Sequence, residues 1–336
     1  MILVTGGTGL LGSHLLFKLT EDDAPIRALY RNGSRLSRVK TLFEYYDSKN
    51  GIERFSRIQW VEGDILDITS LDAAFVGVTM VYHCAALVSF ARRDFHRLMK
   101  INRYGTANIV NSSLHAGVKK LCYVSSTAAI GGQPDSMTTE ETPWKQSQRT
   151  SSYSISKYSA EKEVWRGVEE GLDCVIVNPC VLFGPGDWNE SSLTIFRTVE
   201  KGLRFYTEGT NAIVDARDVA EIMVRLALSD IKNERFLCIG ENLPFRAMTD
   251  EIADQMGKKR ASIATPRWLI GLAWRISALT GFIRGKAPAV TKDSAYSAFS
   301  KMEYDARKVR ERLSFSFRSY KDTVENVLKA HRSRTP

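Results

Sequence analysis

A short apolar run that leads directly into closely spaced glycines restricts the fold more than any other segment. Residues 2–4 (Ile-Leu-Val) predict a buried strand, and leucines at spacings of three and four from Leu10 onward predict a helix. Gly6, Gly9 and Gly12 therefore lie in or beside the turn between them. A helix N-terminus carries unpaired N–H groups and the positive end of the helix dipole, and glycine lets the backbone approach an anion closely. The segment predicts a phosphate-binding turn.

The spacing of these glycines indicates which class of phosphate-containing ligand the turn binds. G-x-x-G-x-x-G is close to the G-x-G-x-x-G of dinucleotide-binding turns. A triphosphate-binding loop is excluded, because no Gly-Lys-Ser/Thr follows the glycines. The alternative is a turn that only packs the helix against the strand, and the rest of the chain has to decide between the two.

Strand and helix signals alternate after this turn. Further strands are predicted at residues 26–30, 58–62, 80–85, 120–125, 173–178 and 235–239. Helices are predicted from near residue 70 and at residues 102–116, 154–170 and 215–229. Repeated βαβ units predict an α/β fold of the Rossmann type, a doubly wound parallel sheet with helices on both faces. Ligands of such sheets bind outside the carboxyl ends of the strands, where Gly6, Asp64, Ala85 and residues 125–127 fall.

The alternation also divides the chain. Residues 1–178 predict the nucleotide-binding domain, and residues 211–240 are expected to return to it. Residues 179–210 and 241–336 follow a looser pattern of turns and short helices, which predicts a smaller substrate-binding lobe.

Composition excludes several function classes. The five cysteines form no C-x-x-C pair and the five histidines show no ligand spacing, so neither a metal site nor a disulfide framework is expected. The net charge of +9 is spread along the chain without a nucleic-acid-binding motif, so it favours attraction of a polyanionic cofactor. Because Met1 leads straight into the first strand, a cytoplasmic protein without a leader segment is expected.

One spacing in the middle of the chain suggests acid–base chemistry. Tyr153 and Lys157 are four residues apart on a predicted helix, which places them on one face about one turn apart. An ammonium group beside a phenol favours the phenolate and brings the tyrosine toward a useful range of pKa. By itself the pair is more often a coincidence on a helix face, so it needs support from other segments.

That support comes from a series of stretches in a fixed order. The sequence resembles the extended short-chain dehydrogenase/reductase family, also described as the NAD-dependent epimerase/dehydratase superfamily. The matching stretches cover roughly residues 1–220 and read TGGTGLLG, VEGDILD, VYHCAA, VSST, YSISK, VNPCVLFGPGD and VDARDVA. The resemblance implies that the glycines hold the pyrophosphate of a dinucleotide.

The resemblance also implies a role for individual residues. Tyr153 matches the catalytic acid/base, and Lys157 matches the lysine that binds the nicotinamide ribose and lowers the tyrosine pKa. Thr127 matches the hydroxyl that hydrogen-bonds the reacting oxygen, with Ser126 as the alternative, and Asn102 matches a supporting asparagine. The matches that imply cofactor contacts are Gly6, Thr8, Gly9, Leu10, Leu11, Gly12, Asp64, Ile65, Ala85, Ala86, Tyr153, Lys157 and Pro179.

The end of the second strand indicates which cofactor is used. An acidic residue there would bind the ribose hydroxyls of NAD, whereas arginine favours the additional phosphate of NADP. The sequence has Arg31, with Arg35 behind it, and no carboxylate. We therefore expect NADP, with NAD as the alternative and a solvated surface position as the other interpretation of Arg31.

Two branches of the family remain open for the reaction. Dehydratases carry an Asp-Glu pair where this chain has Ala128 and Ala129, and many sugar-nucleotide enzymes carry an arginine where Asn211 stands. The other branch is similar to dihydroflavonol reductases and 3β-hydroxysteroid dehydrogenases, and it implies a ketone/alcohol reaction on a small, apolar substrate. A nucleotide-sugar epimerase or dehydratase is the alternative, and a non-catalytic NADP sensor is the third hypothesis.

The C-terminal region contains an apolar segment at residues 268–283. It has apolar side chains nearly all round but contains Arg275, and it is short for a membrane span. Three interpretations stay open: a core helix, the lining of an apolar pocket, or peripheral contact with a membrane. The family resemblance also implies a homodimer.

Overall fold

The structure is a computed structural model that describes residues 1–31, 36–132, 136–147, 150–266, 268, 274 and 298–333. Strands β1 to β14 span, in order, Ile2–Thr5, Ile26–Tyr30, Gln59–Glu62, Met80–His83, Lys120–Val124, Met137–Thr138, Cys174–Pro179, Val181–Phe183, Phe205–Tyr206, Thr210–Asp215, Glu234–Cys238, Glu241–Pro244, Ile263–Ala264 and Glu303–Tyr304. Helices α1 to α12 span Leu10–Leu19, Leu36–Tyr46, Gly51–Ser56, Ile68–Phe75, Phe95–Leu98, Gly105–His115, Ser152–Glu169, Thr194–Glu200, Ala216–Leu228, Phe245–Gln255, Arg307–Leu313 and Tyr320–Arg332. A π-helical segment, Met99–Tyr104, joins α5 to α6, and 3₁₀ turns lie at Arg92–Asp94, Thr127–Ala129 and Ser191–Leu193.

A seven-stranded sheet carries the predicted architecture. Its strand order is β11-β7-β5-β4-β1-β2-β3, and every neighbouring pair is parallel. Strand β1 lies between β2 and β4, so the order of the strands reverses beside it. A crevice at the carboxyl ends is expected at such a reversal. The predicted α/β fold class is confirmed.

The sheet is buried on both faces because its strands are apolar on both sides. Successive side chains of a strand point to opposite faces, and Leu3 and Val4 of β1 are both fully buried. Val4 belongs to one hydrophobic cluster, with side chains of α1, α2 and α9. Leu3 belongs to another, with side chains of α4, α6 and α7. These layers fix the first turn of α1 and of α7 against the carboxyl edge of the sheet.

Most of the predicted elements are present, with shifts at their ends. The strand predicted at residues 26–30 is β2, and the one predicted at 235–239 is β11, which pairs with β7. The helix predicted at 154–170 begins at Ser152, because the Ser151 side chain accepts a hydrogen bond from the N–H of Ser154. The helix predicted at 102–116 begins earlier, at Phe95, and includes the π-helical segment.

The remaining described elements lie after β7. Strands β12, β10 and β8 form a small mixed sheet, and a third hydrophobic cluster contains side chains of α8, α10 and α12. Strand β14 pairs with β6, which brings Tyr304 to the segment that follows β5. The division of the chain into two domains stays a prediction.

The apolar segment predicted at residues 268–283 falls outside the described residues, except for Trp268 and Trp274. Within the described part of the chain, no helix is long and apolar enough to cross a membrane.

Candidate nucleotide and catalytic site

The turn between β1 and α1 is shaped by contacts that tolerate only glycine at two positions. Gly6 has a positive φ of 71°, and a Cβ on it would lie 2.5 Å from the backbone nitrogen of Ala85. A Cβ on Gly12 would lie 2.2 Å from the carbonyl oxygen of Gly6. Helix α1 therefore begins directly against the turn, and its N-cap, Gly9, provides no side-chain cap. This bare helix N-terminus, lined by backbone alone, fits the pyrophosphate of a dinucleotide.

The other predicted residues of this turn differ in exposure. Thr8 and Leu10 are half-buried and Gly9 is exposed, so their atoms are open to a ligand. The side chain of Leu11 is buried in the core, so only its backbone can contribute a contact.

Asp64 and Ile65 lie after β3, and both have structural contacts. The Asp64 carboxylate accepts a hydrogen bond from the N–H of Leu66 at 3.0 Å, which holds the turn. Ile65 is buried against α6, where a Cβ on Gly105 would lie 2.5 Å from its Cδ1. Their predicted contact with adenine stays a prediction.

The basic residues after β2 are only partly described. Arg31 is exposed and directly follows β2, whereas Arg35 lies outside the described residues. Sequence reasoning missed Arg38 on α2, whose guanidinium lies 3.0 Å from Asp187 and 2.9 Å from Glu190. These ion pairs tie the loop after β8 to the start of α2. Arg38 carried a weak signal, as a third basic residue in the same short segment.

Tyr153 and Lys157 both point into the edge of the sheet from the first turns of α7. The Tyr153 hydroxyl faces Ser126, whose side chain favours the ionised form of the phenol. Lys157 is buried, and its Nζ donates to Tyr123 Oη and to the carbonyl oxygen of Val124, each at 2.8 Å. The pair therefore occupies one face of the helix, as the spacing predicts. Lys157 bonds to β5, whereas Tyr153 faces Ser126, which follows β5.

Burial dominates the protonation of this pair. It lowers the pKa of Lys157 to about 7, against the opposing charge of Glu161. It raises the pKa of Tyr153 to about 12, while the Ser126 side chain acts in the opposite direction. In this arrangement the ammonium group of Lys157 is engaged by Tyr123 and Val124, and its lowering of the Tyr153 pKa stays a prediction.

The two candidate hydroxyls after β5 have different neighbours. Thr127 faces the hydroxyl of Tyr304 on β14. Ser126 faces Tyr153, and its Oγ accepts from the N–H of Ala128 at 3.1 Å, which caps the 3₁₀ turn. The structure thus brings Ser126, and not Thr127, to the tyrosine. Tyr304 could not be predicted as a neighbour of Thr127, because the two residues lie far apart in the sequence.

Asn102 holds the loop that passes over Tyr153. It lies in the π-helical segment, a type of irregularity often found at functional sites. Its side chain accepts from the N–H of Leu87 at 2.7 Å and donates to the carbonyl oxygen of Leu87 at 3.0 Å. It also donates to Ser156 Oγ at 2.9 Å. Its support is therefore indirect, through the loop and through α7.

That loop continues the Ala85-Ala86 stretch and carries exposed apolar side chains. Ala85 is half-buried and Ala86 is exposed. Val88 and Phe90 are 45% and 48% exposed. The ring of Phe90 meets the ring of Tyr153 edge-on, with 5.7 Å between the centroids. The described surface beside the phenol is therefore apolar.

A chain of buried polar groups connects Lys157 to β1. Tyr123, which accepts the bond from Lys157, faces Thr106. Thr106 Oγ1 lies 3.0 Å from His83 Nε2, and His83 Nδ1 lies 2.6 Å from Thr5 Oγ1. Burial lowers the pKa of His83 to about 3, so its ring is neutral at physiological pH. Sequence reasoning assigned no role to Tyr123, Thr106, His83 and Thr5, because they lie inside elements that were predicted from their apolar pattern.

A second polar cluster lies behind Ser126. Asn178, at the end of β7 beside the buried Pro179, donates to the Ser126 carbonyl oxygen at 3.0 Å and to Glu161 Oε2 at 2.9 Å. Arg235 of β11 donates to Glu161 Oε1 at 3.1 Å. Glu161 could have been noticed as a carboxylate one turn beyond Lys157. Arg235 gave no signal.

A known protein family matches this chain over most of its length. The model of the NAD dependent epimerase/dehydratase family matches residues 2–240. A putative dihydroflavonol 4-reductase of Synechocystis is 28% identical over 97% of this chain and 92% of its own length. Sterol demethylase protein B of Methylococcus capsulatus is 29% identical over 81% of this chain and 79% of its own length.

Solved structures share the fold. UDP-glucose 4-epimerase of Thermotoga maritima, solved with UDP-glucose, has a TM-score of 0.76 at 21% identity and covers 100% of this chain and 99% of its own. The Bordetella bronchiseptica enzyme WbmG, solved with NAD, has a TM-score of 0.73 at 19% identity, covering 99% and 94%.

We expect Gly12→Ala to weaken the binding of NADPH and NADH alike, because its Cβ would lie 2.2 Å from the Gly6 carbonyl oxygen. Overpacking typically costs about 1–3 kcal/mol, which corresponds to a loss of affinity of about 5- to 150-fold. Calorimetric titration measures the loss. Gly7→Ala is the matched control, since the atoms nearest to its Cβ would be side-chain carbons, Leu16 Cδ1 at 2.8 Å and Ala28 Cβ at 3.6 Å, and not backbone of the turn. Equal losses in both variants would contradict the close backbone contact as the cause.

Proposed function

Because the chain belongs to the NAD dependent epimerase/dehydratase family, we propose that it is an NADP-dependent oxidoreductase that interconverts a ketone and an alcohol on a small apolar substrate. The observation that carries this proposal is the exposed ring of Phe90, which packs edge-on against Tyr153. An acid/base beside an exposed aromatic ring suits a carbonyl group attached to an apolar body.

Two further observations favour an apolar substrate. Val88, two residues before Phe90, is also exposed, so the loop held by Asn102 presents more than one apolar side chain. The Synechocystis relative, named as a putative dihydroflavonol 4-reductase, matches nearly the whole chain. Its name supports a reaction on an aromatic ketone or the corresponding alcohol.

The chain's own residues would divide the chemistry as follows. A nicotinamide cofactor supplies or accepts the hydride at the substrate carbon. Tyr153 Oη donates a proton to the carbonyl oxygen in reduction and takes it back in oxidation, so the ketone gains one hydride and one proton to become the alcohol. Ser126 Oγ, which faces Tyr153, would donate a hydrogen bond to the same oxygen. Lys157 would hold the ribose and keep positive charge beneath the tyrosine.

The NADP preference rests on the end of β2. Arg31 is exposed there, and a guanidinium can form charge-assisted bonds with a dianionic phosphate. The segment has no carboxylate that would bind the ribose hydroxyls of NAD. The family as a whole uses NAD or NADP, and NAD stays the alternative.

A nucleotide-sugar epimerase is the second candidate, and the fold shared with UDP-glucose 4-epimerase favours it. Several positions argue against it. Asn211 accepts a hydrogen bond from its neighbour Ala212, where many sugar-nucleotide enzymes have an arginine. Gly131 stands where a tyrosine is usual, and a Cβ there would lie 1.8 Å from the Pro143 carbonyl oxygen. Turnover of UDP-glucose against a dihydroflavonol separates the two candidates.

We expect Tyr153→Phe to abolish turnover of a dihydroflavonol with NADPH while leaving NADPH affinity nearly unchanged, because the phenol serves the substrate oxygen. Lys157→Ala should lose both turnover and affinity, since the ammonium group would serve the ribose and the tyrosine. Steady-state kinetics and calorimetric titration measure the two effects. Wild-type turnover in Tyr153→Phe would exclude the proposed acid/base, and no turnover of any ketone or sugar nucleotide by the wild type would favour the sensor hypothesis.

The hydroxyl that assists Tyr153 can be assigned by comparing two variants. We expect Ser126→Ala to lower kcat about 10²- to 10³-fold, as the loss of one donor to a developing oxyanion does. Thr127→Val, which removes the hydroxyl that faces Tyr304, should cost less. The opposite order would return the role to Thr127.

Arg31→Ala should weaken NADPH selectively. A hydrogen bond to a charged group contributes about 1.5–3 kcal/mol, which corresponds to roughly a ten- to hundredfold loss of affinity. NADH lacks the 2′-phosphate, so its affinity should stay almost the same, and rising salt should weaken NADPH more than NADH. Calorimetric titration of both cofactors tests this, and an equal loss for both would exclude the proposed contact.

A further inference from the structure

We infer that Glu161 is a positioning residue for this site: its carboxylate holds the backbone that presents Ser126 and supplies the countercharge of the buried Lys157 ammonium group. The inference rests on the proposed roles of Ser126 and Lys157. Glu161 itself does not face the substrate, because it lies two turns along α7 from Tyr153, beneath the end of β5.

The Glu161 carboxylate is buried, with 3% of the residue exposed, and both of its oxygens are used. Oε2 accepts from Ser125 Oγ at 2.5 Å and from Asn178 Nδ2 at 2.9 Å. Oε1 accepts from Arg235 Nη1 at 3.1 Å and from Trp165 Nε1 at 3.4 Å. A buried carboxylate with this many donors is an oriented acceptor, and it fixes the groups that donate to it.

Two of these donors lead directly to Ser126. Asn178 Nδ2, oriented by Glu161, also donates to the Ser126 carbonyl oxygen at 3.0 Å. Ser125, the preceding residue, is bound through its own side chain. Because Glu161 restrains the backbone on both sides of the 125–126 peptide, it restrains the direction in which Ser126 Oγ points toward Tyr153.

The charge of Glu161 acts on Lys157, which lies one turn earlier on the same helix. Burial lowers the pKa of Lys157 to about 7, and Glu161 opposes that shift. The groups that face Lys157 from β4 and its end are neutral, since burial lowers the pKa of His83 to about 3 and raises that of Cys84 to about 12. From β5, Lys157 meets the Tyr123 hydroxyl, whose pKa burial raises well above its usual value.

One more charged group, Arg235, faces Glu161 from the other side. Arg235, on β11, shares its guanidinium between Glu161 and the backbone carbonyl of Glu140. The Glu140 carboxylate accepts a hydrogen bond from the N–H of Leu237 at 2.8 Å. Glu161 thus stands between one cation on α7, Lys157, and another on β11, Arg235. Removing the charge of Glu161 should lower the pKa of Lys157, and removing the charge of Arg235 should raise it.

Glu161→Gln provides the test, because it keeps the size of the side chain and removes the charge. Without that charge Lys157 should lose its proton at lower pH, so the alkaline fall in NADPH affinity should move down by about one pH unit. Arg235→Gln removes the charge on the opposite side of the carboxylate, and it should move the fall to higher pH. Calorimetric titration of NADPH between about pH 6 and pH 9.5 measures both, and Lys157→Ala should remove the dependence.

Turnover separates the positioning role from the charge. Glu161→Gln should lower kcat for the dihydroflavonol more than it raises KM, and Glu161→Asp, which keeps the charge, should restore the pH dependence of the wild type but not its full kcat. Ser125→Ala, which keeps every charge, should leave the pH dependence unchanged.

The inference is overturned if NADPH affinity falls at the same pH in Glu161→Gln as in the wild type, or if Arg235→Gln and Glu161→Gln shift it in the same direction. If Glu161→Gln does not fold, Arg235→Gln alone decides, through the pH at which its NADPH affinity falls compared with the wild type. If the variants shift the pH dependence of NADPH affinity as expected but the wild type reduces no ketone, the proposed reaction is refuted and the effect of Glu161 on Lys157 stands.

Discussion

The buried ammonium group of Lys157 determines which polar contacts the carboxyl edge of this sheet has to provide. A lysine taken out of water needs acceptors and negative charge around it, because an uncompensated buried charge is costly. Lys157 obtains its acceptors from the last two residues of β5, Tyr123 and Val124, and its negative charge from its own helix, at Glu161. The position of α7 against β5 is therefore set by polar contacts as well as by the hydrophobic cluster behind them.

The elements that local pattern controls could be predicted from the sequence. The order of strands β1 to β5 and β7 and of helices α1, α4, α6 and α7 follows from hydrophobic period and from glycine at the β1 turn, where neighbours in the chain determine the geometry, whereas α2, α3 and β6 were not predicted. Gly6 and Gly12 belong to the same class, because each is restricted by backbone that any nucleotide-binding turn of this type brings together. Helix ends shifted where a side chain decided them, as at Ser151.

The contacts that distinguish one hydroxyl from another could not be predicted. Ser126 and Thr127 are adjacent and chemically alike, and they differ through Tyr153 on one side and Tyr304 on the other. Likewise Arg235 meets Glu161 only because β11 takes the edge of the sheet beside β7. Such pairings depend on where distant segments return, and no periodicity in a single sequence encodes the partner. The resemblance to a family implied the roles but not this choice between neighbours.

The contact between Thr127 and Tyr304 has a consequence for how the molecule is made. It joins the 3₁₀ turn after β5 to a strand near the C-terminus, and β14 pairs there with β6. Contacts between such distant segments form late, since the long intervening loop must be closed first. During synthesis, a chain that has left the ribosome as far as α9 already contains the strands β1 to β7 but lacks Tyr304, the neighbour of the turn after β5. The part of the chain that forms these strands can therefore take shape before the turn acquires its final neighbour, and the C-terminal segment completes the surroundings of a turn whose other neighbours were translated first.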